Sequence, residues 1–543
     1  MYTQTGSKLL GSFDYVIVGG GSAGCVLANR LSADPRVSVA LLEAGGKDNW
    51  LWFHIPVGYL YCFGNPKADW CYETAQERGL SGRSIAYSRG KVLGGCSSIN
   101  GMIYMRGQSQ DYDRWADITG DQSWQWESVL PLFRKSESNW RGASAYHGAK
   151  GELRVERQRL RWDVLDTFAS AAEQAGIPPI DDFNTGDNFG SSPFEVTQRK
   201  GVRCSAATAF LKPTLKRRNL TIITHAVVNK LTLEGGQVTG VEYIHKGQTF
   251  CVKANRETLL TAGAIGSPTI LQRTGIGRKE DLARAGVQLR HELSGVGHNL
   301  QDHLQLRSVY KIDGLKTLNT IANNWIGKMG MGLQYLLYRG GPLSMAPSQL
   351  GVFAKSDPGQ PSANLEYHVQ PLSLDKFGDN LHPFPGITAS VCNLRPKSIG
   401  QVSINSNSPN DPPYIAPNYL SNDDDKQIAI DSIKLTRRIF SMDAFASHNP
   451  REYLPGTQYQ SDDELLQAAG NIGTTIFHPV GTCRMGKVDD KEAVVDNELK
   501  LRGLSRVRVV DASIMPTITS GNTNAPTIMV AEKAAQLIAC TAY

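Results

Sequence analysis

The chain has 543 residues, with 57 basic and 51 acidic side chains (net charge +6), 41% hydrophobic and 20% charged residues. That length calls for two to four domains or sub-domains of an ordinary globular protein, and the mild, evenly spread basic excess argues against a nucleic-acid partner. Nine singly scattered cysteines without a C-x-x-C, and histidines that do not gather at ligand spacing, exclude a disulfide scaffold and give no metal site.

Residues 1–13 carry no charged-then-apolar leader pattern, and no apolar run approaches about eighteen residues, so a cytoplasmic chain without a spanning helix is expected. The organising stretch is 14–43. The apolar run Tyr15, Val16, Ile17, Val18 reads as a buried strand and enters Gly19-Gly20-Gly21-Ser22-Ala23-Gly24, a G-x-G-x-x-G. A helical pattern follows, then a second apolar run, 37–42, that stops at Glu43. In this context Gly19 makes the tight turn, Gly21 lets a pyrophosphate approach the backbone, and Gly24 lets helix and strand pack closely. The helix amino terminus offers N–H groups to the phosphates. Glu43, at about the expected distance of roughly twenty residues, suits the adenosine ribose hydroxyls and repels a 2′-phosphate. The stretch alone does not separate FAD from NAD.

Residues 50–87 are dense in aromatics (Trp50, Trp52, Phe53, Tyr59, Tyr61, Phe63, Trp70, Tyr72) without helical period, which suits a loop over a site or burial against the core. The small-residue run through Gly90, Gly94, Gly95 and Gly101 fits a backbone lying close to a flat ligand. Residues 111–136 read as an amphipathic helix and 162–175 as another. Residues 201–211 read as a loop entering a short helix. Residues 219–233 and 238–244 alternate as a hairpin that continues through 250–252. Residues 257–268 repeat the strand, glycine turn, helix theme, with a helix through 269–273 that stops at Gly275. From 304 to 462, short alternating runs between Pro-, Asn- and Ser-rich turns predict an antiparallel sheet with helices. Within it, 325–343 is glycine-rich and apolar. A core or lid segment is expected there, with an amphipathic surface touching a bilayer as the alternative, because few basic residues flank it. At the carboxyl end, 507–510 is again a strand, and a helix with Pro526 in its first turn runs from about 525 to 539.

Two regions hold candidate chemistry: His478 between Phe477 and Pro479, and Ser520-Gly521-Asn522-Thr523-Asn524 ahead of the last helix. An imidazole titrates near working pH, and a helix start aimed at a reduced flavin stabilises its negative charge.

Taken together, GGGSAG with LLEAG, RGKVLGGCSSINGMIYMRG, TAGAIGSPTILQRTGIG, GVGHNLQDH, HPVGTCRMG and VVDASIMPTITSGNTNAPTIMVAEKAA resemble the glucose–methanol–choline (GMC) family of FAD-dependent alcohol oxidoreductases, in the family's order and over essentially the whole chain. The resemblance implies an α/β fold: an FAD-binding Rossmann-type domain assembled from 1–155, 200–305 and 465–543, and an α+β substrate-binding domain with an antiparallel sheet from 156–199 and 306–464. It implies oxidation of a primary alcohol to the aldehyde, with His478 as general base and Asn522 holding the substrate oxygen while the carbinol hydride goes to flavin N5. Gly19, Gly21, Ser22, Ala23, Gly24, Glu43, Ala44, Arg89, Val92, Gly95, Asn100, Gly101, Met102, Ile103, Val228, Asp511, Ala512, Asn522 and Thr523 are the implied FAD contacts. Phe477, His478 and Asn522 are the implied substrate contacts. Ile99 stands where some members carry a histidine that binds FAD covalently, so non-covalent FAD is expected. Arg273-Thr274-Gly275 replaces the usual Leu-Ser-Gly, a departure expected to touch only local packing. The implied partners are a small alcohol, of medium length or benzylic, and an electron acceptor. A quinone reached from a peripheral position on the inner membrane face is expected. The alternatives are oxygen with release of hydrogen peroxide (aryl or furanic alcohols) and a lyase or decarboxylase of the same fold. Glu366 lies on a strand that could face the site, but packing or the surface is the expectation.

Overall fold

The computed structural model describes residues 8–323, 325–375 and 379–541 and is built on two seven-stranded sheets. In the first, the strands lie in the order Leu220–Ile223, Val39–Leu42, Lys8–Val18, Gln248–Leu260, Gln237–His245 and Val227–Glu234, with Val507–Val509 beside Gln248–Leu260. The first four and Val507–Val509 are parallel. The runs at 15–18 and 39–42 are buried throughout, as parallel strands covered on both faces must be, which is why they read as unbroken apolar stretches. Helix α1 (Ser22–Leu31) follows the central strand, and α2 (Gly263–Thr274) follows Gln248–Leu260. The last helix, Asn524–Thr541, packs along α1. Arg30 fastens the two: its guanidinium donates to the fully buried Glu532 at 2.5–3.1 Å and to Glu152 at 2.5 and 2.9 Å.

The second sheet runs Arg451–Leu454, Leu304–Lys311, Gly386–Asn393, Leu365–Gln370, Leu350–Ala354 and Gly190–Pro193, all antiparallel, with Gly473–Thr475 also on Leu304–Lys311. Strand Leu365–Gln370 shows how it is used. Leu365, Tyr367 and Val369 enter an apolar core with Phe168, Ile433 and Phe440, while Glu366, His368 and Gln370 point the other way, equally buried. The polar face roofs the carboxyl ends of the parallel strands.

Several expectations are corrected. Residues 111–136 form two helices, Ser109–Thr119 and Trp126–Ser136, because Gly120 takes a left-handed conformation (φ +71°) that ends the first. Residues 220–223 are a parallel edge strand and not part of the hairpin, which begins at Val227. The expected boundary at 465 falls inside the helix Asp462–Ile472, whose Leu465 and Ala469 pack into the second core, so the chain leaves that unit after 475. Helix α3 (Trp325–Tyr338) is not a core segment. Ile326, Met329, Leu333, Leu336, Leu337 and Tyr338 are 58–71% exposed, and Tyr335 is its buried anchor.

Candidate active site

Between the sheets, at the carboxyl ends of Lys8–Val18, Val39–Leu42 and Gln248–Leu260, runs one long cavity, the crevice position where open α/β sheets bind ligands. Its lining includes Gly19, Gly21, Ser22, Ala23, Glu43, Ala44, Arg89, Gly95, Asn100, Gly101, Met102, Ile103, Val228, Phe477, His478, Asp511, Ala512, Asn522 and Thr523. Two residues expected there stand back from it. Gly24 lies behind the loop, where a Cβ would sit 1.9 Å from the Gly19 carbonyl oxygen, so its part is helix–strand packing. Val92 is buried with Phe53, Cys62 and Ile99.

At one end, the turn at Gly19 (φ +106°) leads straight into α1, whose amino terminus carries no side-chain cap and faces the cavity through Ser22 and Ala23. The last helix begins beside it: Ser22 Oγ donates to Asn524 Oδ1 at 2.7 Å. Two helix starts thus converge on one place, an arrangement suited to phosphate. Glu43 supports the loop directly. Its carboxylate accepts the Gly20 N–H at 2.8 Å and the Gly45 N–H at 2.7 Å, while burial pushes its pKa up to about 7. Asp511 accepts from Gly263 N, Ser267 Oγ and Ser513 N, and ties the start of α2 to the carboxyl-terminal loop.

At the other end stands His478. A short chain of contacts fixes its tautomer. The Leu394 carbonyl can only accept, so His303 Nε2, 3.1 Å away, donates to it and His303 Nδ1 is left to accept. His478 Nδ1, at 3.1 Å from His303 Nδ1, therefore carries the proton, and His478 Nε2 presents a lone pair. Asn522 Nδ2 donates to that Nε2 at 3.0 Å, and Asn522 Oδ1 is buried without a hydrogen-bond partner. Burial, then the positive influence of His303, His368 and Arg89, holds the His478 imidazole well below its usual pKa. Burial lowers His303 too, although Glu366 and Asp302 oppose the fall.

The backbone of His478 is held as firmly as its ring. Asp302 accepts the His478 N–H at 2.7 Å on one oxygen, and on the other Thr475 Oγ1 (2.6 Å), Tyr419 OH (2.5 Å) and Tyr87 OH (3.0 Å). Phe477 lies in the left-handed region (φ +67°), braced by Thr475 Oγ1 on its N–H (2.7 Å) and by Arg89 on its carbonyl (2.6 Å), and its ring stacks on Phe63. Tyr59 and Phe63 add an apolar wall, and Gln305, His368 and Gln370 from the second sheet supply a polar roof. Glu366 is fully buried behind His368, 3.1 Å from its Nε2, and not at the surface. Glu366, His368 and Cys392 bring potential ligand atoms within 4.8 Å of one another, a grouping that spacing in the sequence does not reveal. Asp302, His303 and His368 are the site's unforeseen members. The first two lay in plain view in the motif GVGHNLQDH, and the third in the alternation of 365–370.

Residues 13–305 match the amino-terminal part of the GMC oxidoreductase family, and 396–531 match its carboxyl-terminal part. The chain is 42% identical over 530 residues to the alcohol dehydrogenase (acceptor) of Pseudomonas putida, covering 97% of this chain and 95% of that one. It is 39% identical over 543 residues to human mitochondrial choline dehydrogenase, covering 98% and 91%. Among solved structures, pyridoxine 4-oxidase from Mesorbium loti superposes with a TM-score of 0.87 at 32% identity, over 96% of this chain and 98% of that one.

Proposed function

The chain belongs to the GMC oxidoreductase family and is an FAD-dependent oxidoreductase acting on CH–OH donors, and from that premise we propose that it oxidises an apolar primary alcohol to its aldehyde in the cavity between the two sheets. The single observation that carries this reading is the oriented lone pair of His478 Nε2, paired with the Asn522 amide at 3.0 Å in a buried pocket. FAD suits the cavity: the uncapped start of α1 fits the pyrophosphate, Glu43 and Val228 the adenosine, Asp511 and Ala512 the middle of the cofactor, and the 100–103 loop with Thr523 the flavin, held without a covalent link because residue 99 is isoleucine. When bound, FAD supplies the hydride acceptor.

The chain's own residues handle the proton. A substrate hydroxyl that inserts between Asn522 and His478 takes the place of the amide at Nε2, accepts the Asn522 Nδ2–H on its oxygen and gives its proton to Nε2. The proton already on His478 Nδ1 then points at His303 Nδ1, so the new charge is shared with a second imidazole that lies within the influence of Glu366 and Asp302. Asn522 cannot act as a base and serves to hold the oxygen. Tyr59, Phe63 and Phe477 favour an apolar chain or ring next to the carbinol. The similarity to an acceptor-dependent alcohol dehydrogenase supports a quinone acceptor, and hence a protein working at a membrane surface. The resemblance to an oxidase structure supports oxygen as the second reading.

The test is the flavin spectrum of oxygen-free protein with a panel of medium-length and benzylic primary alcohols. Bleaching by one class is expected, followed by recovery on adding a soluble quinone but not on readmitting air. Fast recovery in air assigns the oxidase reading. In His478→Ala the rate of bleaching should fall about 10²–10⁴-fold with FAD retained, and an unchanged rate removes His478 as the base.

A further inference from the structure

We infer that α3 is the surface by which this protein docks in the plane of a bilayer that contains anionic lipid. Ile326, Met329, Leu333, Leu336 and Leu337 recur at i, i+3, i+7, i+10 and i+11 and so form one stripe along the helix. Each is more than half exposed, while the opposite side rests on the protein through the partly buried Met331 and the buried Tyr335, whose hydroxyl donates to the Gly201 carbonyl at 3.0 Å. Five large apolar side chains in one exposed row are far more than a scatter of single surface residues. Three glycines, Gly327, Gly330 and Gly332, further weaken the helix taken by itself, so its apolar stripe is best explained by a covering surface.

Charge selects the occupant. Residues 314–356 contain no Asp or Glu, against 51 such residues in the whole chain. The helix is rimmed by exposed basic side chains: Lys328 on it, Arg339 just after it, Arg159, whose guanidinium donates to the carbonyls of Tyr338 and Arg339, and Arg199 and Lys200 beside Gly201. An apolar stripe within a basic rim matches acyl chains beneath anionic headgroups. A second copy of the chain would set one basic rim against another. At about 1.5 Å per residue, the 14-residue helix is about 21 Å long. No helix among the described residues is long and apolar enough to cross a membrane, so it lies in the interface. Docking there sets the bilayer beside the active site: Tyr335 packs with Ile55, Val57 and Tyr59, and Tyr59 lines the cavity. A lipophilic molecule leaving the acyl region would meet that aromatic wall first. The inference rests on this surface and stands or falls separately from the alcohol reading.

The experiment is flotation of the FAD-loaded protein with vesicles of phosphatidylcholine alone and of phosphatidylcholine with phosphatidylglycerol, alongside sedimentation of the free protein. The wild type should float with the mixed vesicles and lose binding as salt is raised, and Leu333→Ser/Leu336→Ser/Leu337→Ser should bind about tenfold or more weakly with an unchanged flavin spectrum. Absence of flotation with either vesicle, or equal flotation of the triple variant, overturns the inference. Equal binding to both vesicle types overturns its anionic part. A dimer that the triple variant dissociates, without vesicle binding, gives the face to a second copy instead.

Discussion

Phe477 occupies a backbone region that costs a non-glycine residue about 1–3 kcal/mol, and the bonds from Thr475 and Arg89 that offset this cost also fix the direction in which His478 leaves the chain. Because burial lowers the imidazole pKa below 6.5, the neutral, proton-accepting form persists as pH falls. The rate of flavin reduction by alcohol should therefore stay level from pH 8 through 6.5, with the acidic limb lying below that value. A rate-versus-pH curve by anaerobic stopped flow checks this, and an inflection at or above 6.5 contradicts it. Asp302 acts through His478 and touches no ligand itself. Asp302→Asn sets an N–H₂ against donors and shifts the base, and should slow reduction about 10²-fold while the FAD content and the neutral-pH plateau are retained. Unchanged kinetics would mean that the aspartate only packs. Motif and residue type singled out His478 and Asn522 in the sequence, and the structure brings them within 3.0 Å of each other. The roles of Asp302, His303 and Glu366 were not legible there, because each depends on which of its atoms faces a group between 2 and 176 positions away.

Among the elements, α1 and the last helix matter most, since both begin at the same end of the cavity. Glu532 is wholly buried, and its carboxylate takes Arg30 and, at 2.7 Å, Lys135. Removing it leaves Arg30 with Glu152 as its one remaining carboxylate partner among the described residues. Glu532→Ala should lower unfolding stability by about 2–3 kcal/mol, read from the urea midpoint, and should weaken FAD binding in reconstitution. A change in neither would show that the two helix starts are aligned by packing alone. The strand–turn–helix at 15–31 was legible because burial on both faces writes a continuous apolar run and the turn demands glycine. The break at Gly120 was not, since apolar residues on both sides keep a helical period across it. Helix α3 misled for a related reason: apolar composition signals burial in something, but does not say whether the cover is protein.

For the whole molecule, the division into a mainly parallel sheet and an antiparallel one was readable from the change in texture near 304, because alternation is the mark of strands with two unlike faces. The point of return was not readable, since the helix Asp462–Ile472 has the same amphipathic pattern whichever sheet it joins. The first sheet draws its strands from 8–18, 39–42, 220–260 and 507–509, and the cavity is closed by residues just before the last helix. During synthesis the glycine turn leaves the ribosome well before Asp511, Asn522 and the helix Asn524–Thr541. A nascent chain therefore cannot close the cavity until residues 511–527, some 490 positions after the glycine turn, have emerged. Until then the apolar strand at 15–18 has only Val39–Leu42 nearby and must wait for Gln248–Leu260. Cofactor capture is thus a late event in the life of each molecule, and the interval before it is when chaperones and proteases have most to act on.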